Sequence, residues 1–149
     1  MKKILYIDMD NVLVDFQSAL PHFSPGILKE HRDHLDDIPG VFAKMIPANG
    51  ALEAFFTLSE AFDTYVLSTA PWKNPSAWSD KLEWVKIHLG RAGYKRLILS
   101  HHKNLNKGDF LVDDRDKNGA EKFAGELILF GSPTFPDWPT VTKYLLGRL

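Results

Sequence analysis

Two aspartates follow a short apolar run near the start of the chain. Residues 4–7, Ile-Leu-Tyr-Ile, have the length and the β-branched or aromatic character of a buried strand, and Asp8 and Asp10 come directly after it. Carboxylates are costly to bury unless a cation or hydrogen-bond donors compensate them, but ligands of open α/β sheets bind at the carboxyl ends of the strands. Two aspartates at positions i and i+2 there suit a divalent metal and a phosphorylated substrate. A strand-ending turn, in which Asp is common, explains the pair equally well when it is considered alone.

Polar groups also follow later apolar runs of the chain. Strands are predicted at residues 4–7, 65–67, 96–99, 110–112 and 127–130. Their near-continuous apolar character is typical of parallel strands that are covered on both faces. Ser68 and Thr69 end the second run, and Asp113 and Asp114 end the fourth. Because the carboxyl ends of neighbouring parallel strands meet at one edge of a sheet, we expect these groups and the first aspartates to converge.

Helices are predicted between the strands, at residues 79–91, 117–124 and 139–147. One side of the first helix is expected to be buried, and it carries Leu82, Val85 and Leu89 with Trp84 and Ile87 at its flanks. The alternation of strands and helices predicts a doubly wound α/β fold with a parallel sheet and right-handed crossovers.

Residues 16–49 interrupt this alternation, since no strand signal appears there. Ser24-Pro25-Gly26 offers a cap followed by proline at a helix start, and apolar residues continue at helical spacing. We interpret the segment as a small helical cap inserted between the first strand and a crossover helix that begins near Gly50. Such an insert would cover the strand ends and restrict water. An irregular connection is the alternative.

Composition limits the classes of function. The chain has 149 residues, 44% of them hydrophobic, which suits a single domain over residues 1–149. Its net charge of −1 and lack of a basic run argue against a partner that is a nucleic acid polymer, although a mononucleotide needs only a local site. Without cysteine there is no thiol catalysis or thiolate metal site. No apolar run reaches membrane-spanning length, so we expect a soluble cytoplasmic protein without a membrane partner.

The chain resembles phosphatases of the haloacid dehalogenase superfamily. The first motif of that superfamily, DxDx(T/V), is matched by DMDNV at residues 8–12. Its later motifs are a Thr or Ser that ends the next strand, a lysine and a paired acid, and they are matched in order by Thr69, Lys103 and Asp113-Asp114. The resemblance covers the predicted core from Lys3 to about Phe130, and it implies a Rossmann-like core with a phosphatase site.

A narrower resemblance is to the 5′(3′)-deoxyribonucleotidase family. DMDNVLVDF is similar to the DMDGVLADF of that family, PANGALEAF resembles its PIPGALEAL-like segment, and STAPWK resembles CTSPIK. The chain departs from the pattern in three ways: Asn11 replaces a glycine, Ala70 replaces a serine that helps to hold substrate, and the insert is shorter. Asn accepts left-handed backbone geometry, so the first change is compatible with the fold. The other two changes affect substrate identity.

The resemblance implies a stepwise hydrolysis with Mg²⁺ as cofactor. Asp8 attacks phosphorus and forms an aspartyl-phosphate, while Asp10 protonates the leaving oxygen and then deprotonates the attacking water. Mg²⁺ and Lys103 neutralise the phosphoryl oxygens. The metal ligands would be Asp8, the backbone carbonyl of Asp10, and one or both of Asp113 and Asp114.

The implied phosphate ligands are Thr69, through its hydroxyl and N–H, and the backbone N–H groups of Met9 and Asp10. Lys73 is a further candidate phosphate ligand. Lys107 is an alternative to Lys103 as the motif lysine because it lies in the same loop. Neighbouring histidines point in different directions along an extended chain, so His101 and His102 are interpreted as loop residues.

Aromatic residues would determine what the pocket holds. The resemblance places Phe16 at a base-contacting position, and Phe42 and Trp72 could extend a stacking wall beside Ala70. Phe42 could instead belong to the core of the insert, with Trp72 packed against it. Asp15 is expected to orient the first loop or cap the insert, and Asp116 to serve a turn or a helix cap.

The leading hypothesis is a phosphomonoesterase for a small phosphorylated substrate, a nucleoside monophosphate and in particular a deoxyribonucleotide. One alternative is the same chemistry on another small phosphoester, such as a sugar phosphate. A second is a receiver-like phosphate-binding module, which the acidic residue two positions after the nucleophile argues against. Assembly into a homodimer is left open.

Overall fold

Five parallel strands form the central sheet. A computed structural model of the chain describes all of residues 1–149. The strands of the main sheet are β1 (Ile4–Ile7), β4 (Asp63–Ser68), β5 (Leu97–Leu99), β6 (Phe110–Asp113) and β7 (Glu126–Leu129), and a small ladder is formed by β2 (Val14–Asp15) and β3 (Ile46–Pro47). The order β5-β4-β1-β6-β7 places β1 at the centre and confirms the predicted doubly wound α/β class.

The register of β1 aligns the strand ends that carry polar residues. Ile7, the last residue of β1, pairs with Val66 of β4 on one side and with Val112 of β6 on the other. The amide of Asp8 then donates to the carbonyl oxygen of Val112 at 2.9 Å. The residues that follow β1, β4 and β6 therefore emerge side by side at one edge of the sheet.

Four α-helices accompany the strands. They are α1 (Pro25–Glu30), α2 (Ala51–Ala61), α3 (Pro75–Gly93) and α4 (Trp138–Leu146). Proline at the start of α1, α3 and α4 fits the first helical turn, where its missing N–H costs nothing. None of the helices combines the length and the apolar character needed to span a membrane.

The predicted buried side of α3 is wrong in part. Leu82 is 43% exposed and Ile87 is 74% exposed, whereas Val85 and Leu89 are buried as predicted. The stripe that faces the core includes Lys81 in place of Leu82. Positions 81, 84, 85 and 89 share one helical face at 3.6 residues per turn, and the amine of Lys81 has partners inside the protein.

The predicted helix at residues 117–124 is also wrong. Only a single 3₁₀ turn, Ala120–Lys122, forms there. Asn118 and Gly119 have φ angles of 53° and 87°, which no α-helix accommodates. A Cβ atom at residue 119 would lie 2.8 Å from the backbone nitrogen of Lys103, so glycine permits the close approach of these two loops.

The segment between β1 and α2 holds α1 and three 3₁₀ turns. The turns are Phe16–His22, Leu35–Asp37 and Val41–Lys44. The expectation of no strand in residues 16–49 is wrong, since Ile46 and Pro47 pair antiparallel with Asp15 and Val14. This ladder closes the insert at its base, and α2 starts at Ala51 near the predicted position.

Two buried indole groups join the insert and the loop after β1 to the core. Trp84 of α3 donates its Nε1–H to the carbonyl oxygen of Met45 at 3.0 Å. Trp138 of α4 donates its Nε1–H to the carbonyl oxygen of Val12 at 2.8 Å. Both tryptophans belong to the main hydrophobic cluster. Each therefore stabilises its attachment in two ways, by burial of the ring and by a hydrogen bond to a backbone carbonyl.

Replacement of Trp138 by phenylalanine should destabilise the protein by about 2 kcal/mol, because the buried carbonyl of Val12 loses its only donor and apolar volume is removed. Urea unfolding followed by circular dichroism measures the change in the free energy of unfolding. Trp72→Phe is the matched control because Trp72 is 80% exposed. Equal stability of the two variants would contradict this role of Trp138.

Candidate active site

Lys103 bridges two buried aspartates at the carboxyl edge of the sheet. Its Nζ lies 3.0 Å from Oδ1 of Asp8 and 2.6 Å from Oδ2 of Asp113. All three residues are at most 5% exposed. Asp8 follows the central strand β1, and Asp113 ends its neighbour β6. The backbone of Lys103 is fixed by donation of its N–H to the carbonyl oxygen of Asn118 at 2.7 Å.

The charge of this lysine is stabilised by its surroundings. Burial alone disfavours the ammonium form, but the attraction and hydrogen bonds of Asp8 and Asp113 outweigh burial and raise the pKa of Lys103. Lys107, the rival lysine, is exposed and forms no ion pair. The structure therefore brings Lys103 to the aspartates and leaves Lys107 in solvent.

Three carboxylates lie close enough to share one cation. Oxygen atoms of Asp8, Asp113 and Asp114 all lie within 4.8 Å of one another. Burial, followed by repulsion from Asp8, raises the pKa of Asp113 to about 7 and the pKa of Asp114 to about 6. A single lysine thus leaves the cluster short of positive charge. Hard carboxylate oxygens with unbalanced negative charge fit a divalent cation such as Mg²⁺.

Asp10 faces a second buried lysine. Nζ of Lys81 lies 3.2 Å from Oδ1 of Asp10, and it also donates to Oγ of Ser68 at 2.6 Å and to the carbonyl oxygen of Thr69 at 2.9 Å. The ammonium group lies 4.5 Å from the centre of the Phe42 ring, within cation–π range. All three donors of this fully buried lysine are therefore used.

Burial raises the pKa of the Asp10 carboxyl group, with a further contribution from the nearby Asp8, while Lys81 opposes both effects. A carboxyl group with a raised pKa holds its proton more readily than a free aspartate does, which suits transfer of that proton to a leaving group. The two aspartates therefore differ in their surroundings: Asp8 lies in the acidic cluster beside Lys103, and Asp10 lies outside that cluster beside Lys81.

Lys81 was missed in the sequence analysis, although its sequence position carries a signal. It lies four residues before Val85 and three before Trp84, on the apolar face of a predicted helix. A lysine at such a position must either reach solvent or find buried partners. It finds them at the site because α3 starts just after the segment that follows β4.

Three backbone amides that follow β1 and β4 are free. The N–H groups of Met9, Asp10 and Thr69 donate to no acceptor within the protein. The hydroxyl of Thr69 donates to the carbonyl oxygen of Ser100 at 2.7 Å, so only its backbone N–H remains for a phosphate oxygen. Asn11 has φ of 59°, which confirms the left-handed geometry expected where the family pattern has glycine.

A cavity of about 300 Å³ opens beside Asp10. Its lining comes from the loops after β1 and β6 and from the insert, and it comprises Asp10, Asn11, Phe16, Arg32, Asp33, Leu35, Asp36, Asp114 and Arg115. The insert therefore forms one wall of a polar pocket whose other wall carries Asp10 and Asp114. An organic group bound beside Asp10 has space in this pocket.

Comparison with known proteins gives the family. The sequence model of the family described as 5′ nucleotidase, deoxy (pyrimidine), cytosolic type C protein matches residues 24–138. The chain belongs to this nucleotidase family. The protein is accordingly a phosphomonoester hydrolase, as its sequence motifs predicted.

Relatives from three sources support this membership. A protein of Vibrio phage KVP40 named "Putative 5'(3')-deoxyribonucleotidase" is 56% identical over 147 residues, which cover 99% of this chain and 86% of that protein. The human 5′(3′)-deoxyribonucleotidase, cytosolic type, is 32% identical over 83% of this chain and 77% of its own length. The 5′(3′)-deoxyribonucleotidase of Bacillus subtilis is 29% identical over 89% of this chain and 87% of its own length.

Solved structures share the fold at low sequence identity. The HAD-hydrolase YfnB of Bacillus subtilis, solved bound to magnesium, aligns with a TM-score of 0.58 at 11% identity over 91% of this chain and 90% of that one. A haloacid dehalogenase-like hydrolase from Xanthomonas campestris aligns with a TM-score of 0.55 at 9% identity over 99% of both chains. The nucleotidase family member described here therefore has the haloacid dehalogenase core.

Several residues proposed to bind substrate lie away from the acidic cluster or are covered. Phe42 is 2% exposed and packs edge-to-face on Phe16 with ring centres 5.8 Å apart, so its face is closed to a base. Ala70 is fully buried. Lys73 is exposed and forms no side-chain hydrogen bond or ion pair. Of the proposed aromatic contacts, only Phe16 lines the cavity beside Asp10.

Trp72 is exposed and lies apart from that cavity. Its ring is 6.0 Å from the ring of His101, which also contacts Trp78 at 6.1 Å. Trp72 therefore packs on His101, whereas the alternative to a substrate contact was packing against the core of the insert. Asp15 precedes the turn at Phe16–His22, but its carboxylate makes no capping hydrogen bond, contrary to the predicted cap.

The acidic cluster makes stability depend on pH in the absence of metal. The folded-state pKa of Asp114 is raised, so the folded protein loses stability, relative to the unfolded chain, as pH rises through the window from the ordinary value of about 4 to about 6. Asp114→Asn should therefore be more stable than the parent protein in EDTA at pH 8. The difference in the free energy of unfolding should be on the order of 1 kcal/mol, because solvent screens part of the repulsion, and it should be small at pH 4.5. Urea unfolding at both pH values measures the change. Asp116→Asn is the control because Asp116 is exposed. A destabilised Asp114→Asn protein at pH 8 would contradict repulsion between Asp114 and the other carboxylates of the cluster.

Lys81→Met should lower kcat by on the order of 10-fold or more, because Asp10 loses the cation that holds its carboxyl group in place and limits its pKa. The pKa assigned to Asp10 in the pH–rate profile should move to higher pH. Lys86→Met, on the exposed side of the same helix, is the matched control. An unchanged pH–rate profile for a folded Lys81→Met protein would show that Lys81 has no effect on the acid–base role of Asp10.

Proposed function

We propose that this nucleotidase-family protein hydrolyses nucleoside monophosphates, in particular deoxyribonucleotides, through a covalent intermediate on Asp8. The observation that carries the proposal is the pairing of two aspartates in different surroundings at the end of β1, with Asp8 in the acidic cluster and Asp10 beside Lys81. The names of the relatives at 56% and 32% identity support the choice of a nucleotide.

In the first step, a carboxylate oxygen of Asp8 attacks the phosphorus atom, and the bond from phosphorus to the ester oxygen breaks. The leaving nucleoside oxygen takes the proton that Asp10 carries, so a neutral alcohol departs. The free N–H groups of Met9, Asp10 and Thr69 can donate to the phosphoryl oxygens, where negative charge accumulates. Lys103 contributes a fixed positive charge beside Asp8.

In the second step, the ionised Asp10 takes a proton from water, and the water oxygen attacks phosphorus. The bond between phosphorus and Asp8 breaks, which releases inorganic phosphate and restores the Asp8 carboxylate and the protonated Asp10. Lys81 keeps Asp10 in one position through both steps, since it anchors Oδ1 at 3.2 Å. One carboxyl group thus acts first as an acid and then as a base.

Asp8, Asp113 and Asp114 would hold Mg²⁺, which supplies positive charge to the phosphate and lowers the electrostatic cost of bringing an anion to an acidic cluster. The backbone carbonyl of Asp10 is a further candidate ligand that the family pattern implies. Protons compete with the metal for Asp113, whose pKa is raised to about 7, and this favours activity at neutral or higher pH.

Phosphate release from nucleotides, deoxynucleotides and sugar phosphates in the presence of Mg²⁺ tests the proposal. We expect release from nucleoside monophosphates, its loss in EDTA, no release by Asp8→Asn, and a decrease in kcat of about 10² to 10⁴ for Asp10→Asn. Asp15→Asn, whose carboxylate makes no hydrogen bond or ion pair, is the matched control and should keep full activity.

Two results would contradict the proposal in different ways. Release from sugar phosphates with none from nucleotides would exclude the nucleotidase function while leaving the chemistry intact. Full activity of Asp8→Asn would exclude Asp8 as the nucleophile.

A further inference from the structure

One wall of the cavity beside Asp10 is formed by a short stretch of the insert. We call Arg32, Asp33, Leu35 and Asp36 the insert wall. The same cavity is also lined by Asp10 and Asp114, together with Asn11 and Arg115 from the same loops. The insert wall and the proposed acid–base residue therefore line one cavity of about 300 Å³.

Four of the charged residues that line this cavity have no ion-pair partner in the protein. Arg32, Asp33, Asp36 and Arg115 take part in none of the ion pairs of the protein. Two of these four residues are cationic and two are anionic, and Asp10 and Asp114 add two further carboxyl groups to the lining. A second phosphate in the cavity would meet the two carboxylates of the wall in addition to the acidic cluster, and like charges at short range oppose binding.

A neutral group with both donors and acceptors fits these charges better. A guanidinium offers five N–H donors and no acceptor, whereas a carboxylate offers only acceptors. The base and sugar of a nucleoside present both kinds of partner without net charge. The ring of Phe16, which lines the same cavity, offers an apolar surface to such a group.

Asn74 fixes the insert wall to the segment that follows β4. Its Nδ2 donates to the carbonyl oxygens of Asp36 at 2.9 Å and of Ile38 at 3.0 Å. Its Oδ1 accepts from the hydroxyl of Ser76 at 2.6 Å, and Oγ of Ser76 accepts from the amide of Gly40 at 3.0 Å. Asn74 is 2% exposed, so these bonds lie out of water.

This attachment sets the distance between the insert wall and the phosphate site. Asn74 is only five residues after Thr69, whose free N–H faces the phosphate in the proposed mechanism. A wall held in this way does not have to be ordered when the substrate binds, which reduces the entropic cost of recognition.

We propose that Arg32 and Asp36 are specificity-determining residues that hydrogen-bond the neutral nucleoside part of the substrate, and that Asn74 is a positioning residue that holds them. Arg32 donates to carbonyl or ring-nitrogen acceptors of the nucleoside, and Asp36 accepts from its N–H or hydroxyl groups. This inference rests on the proposed nucleotidase function, since it names the residues that distinguish a nucleotide from a phosphate ester without a nucleoside.

The test compares two substrates in the same variants. Arg32→Ala and Asp36→Asn should each lower kcat/KM for deoxynucleoside monophosphates by about 3- to 10-fold, the value of one hydrogen bond, mainly through KM. Hydrolysis of 4-nitrophenyl phosphate, which has no nucleoside, should be unchanged in both variants. Arg91→Ala, an exposed arginine outside this cavity, is the matched control and should alter neither substrate.

The role of Asn74 requires a double mutant because its replacement also affects folding. If Asn74 acts through the insert wall, the fold-loss in nucleotide kcat/KM of the double mutant Asn74→Ala/Arg32→Ala should be smaller than the product of the fold-losses of the two single mutants. Melting temperatures confirm that the compared proteins are folded. Independent, multiplicative losses would overturn the positioning role.

The possible failures are distinguishable. If the parent protein cleaves 4-nitrophenyl phosphate but no nucleotide, the proposed function fails and the inference fails with it. If the parent protein cleaves nucleotides and the wall variants lose nothing, or lose activity equally on both substrates, the inference alone is overturned.

Discussion

The compensation of buried and half-buried carboxylates by two buried lysines is the constraint on which this site depends. Asp8 and Asp113 share Lys103, and Asp10 faces Lys81. Removing a carboxylate from water costs several kcal/mol unless it is paired, so neither lysine can be lost without cost to its partners. The lysines do not balance the charge completely, because the pKa values of Asp113 and Asp114 remain raised. A divalent cation would supply the positive charge that is still missing.

The fold holds these charges by attaching each loop to a rigid element. Trp138 fixes the loop after β1 through the Val12 carbonyl, Trp84 fixes the end of the insert through Met45, and Asn74 fixes its middle. Each contact pairs a buried donor with a backbone carbonyl in a dry environment, where such bonds are strong and their loss is costly. The insert is thus a fixed wall of the site, and the central strand supplies the aspartates that face it.

Sequence reasoning located the aspartates because the ends of parallel strands are ligand sites by topology, and the order of Thr69, Lys103 and Asp113-Asp114 agreed with that topology. It did not find Lys81, because a lysine on an apolar helical stripe is distinguished from a solvated one only by its tertiary partners. It also predicted a helix at residues 117–124, where the packing of Gly119 against the Lys103 loop requires a left-handed backbone. The exposure of Phe42 could not be deduced, since it depends on how the insert packs on α3.

The proposed hydrolysis depends most on a covalent bond between phosphorus and Asp8, and rapid acid quenching tests this bond directly. The Asp10→Asn protein would be mixed with ³²P-labelled 4-nitrophenyl phosphate, whose leaving group needs no proton from Asp10, and Mg²⁺, quenched within the first turnover and digested for mass spectrometry. Hydrolysis through Asp8 predicts label on the peptide that contains Asp8, formed before inorganic phosphate appears. Label on another residue, or release of phosphate with no labelled protein at any time, would contradict it.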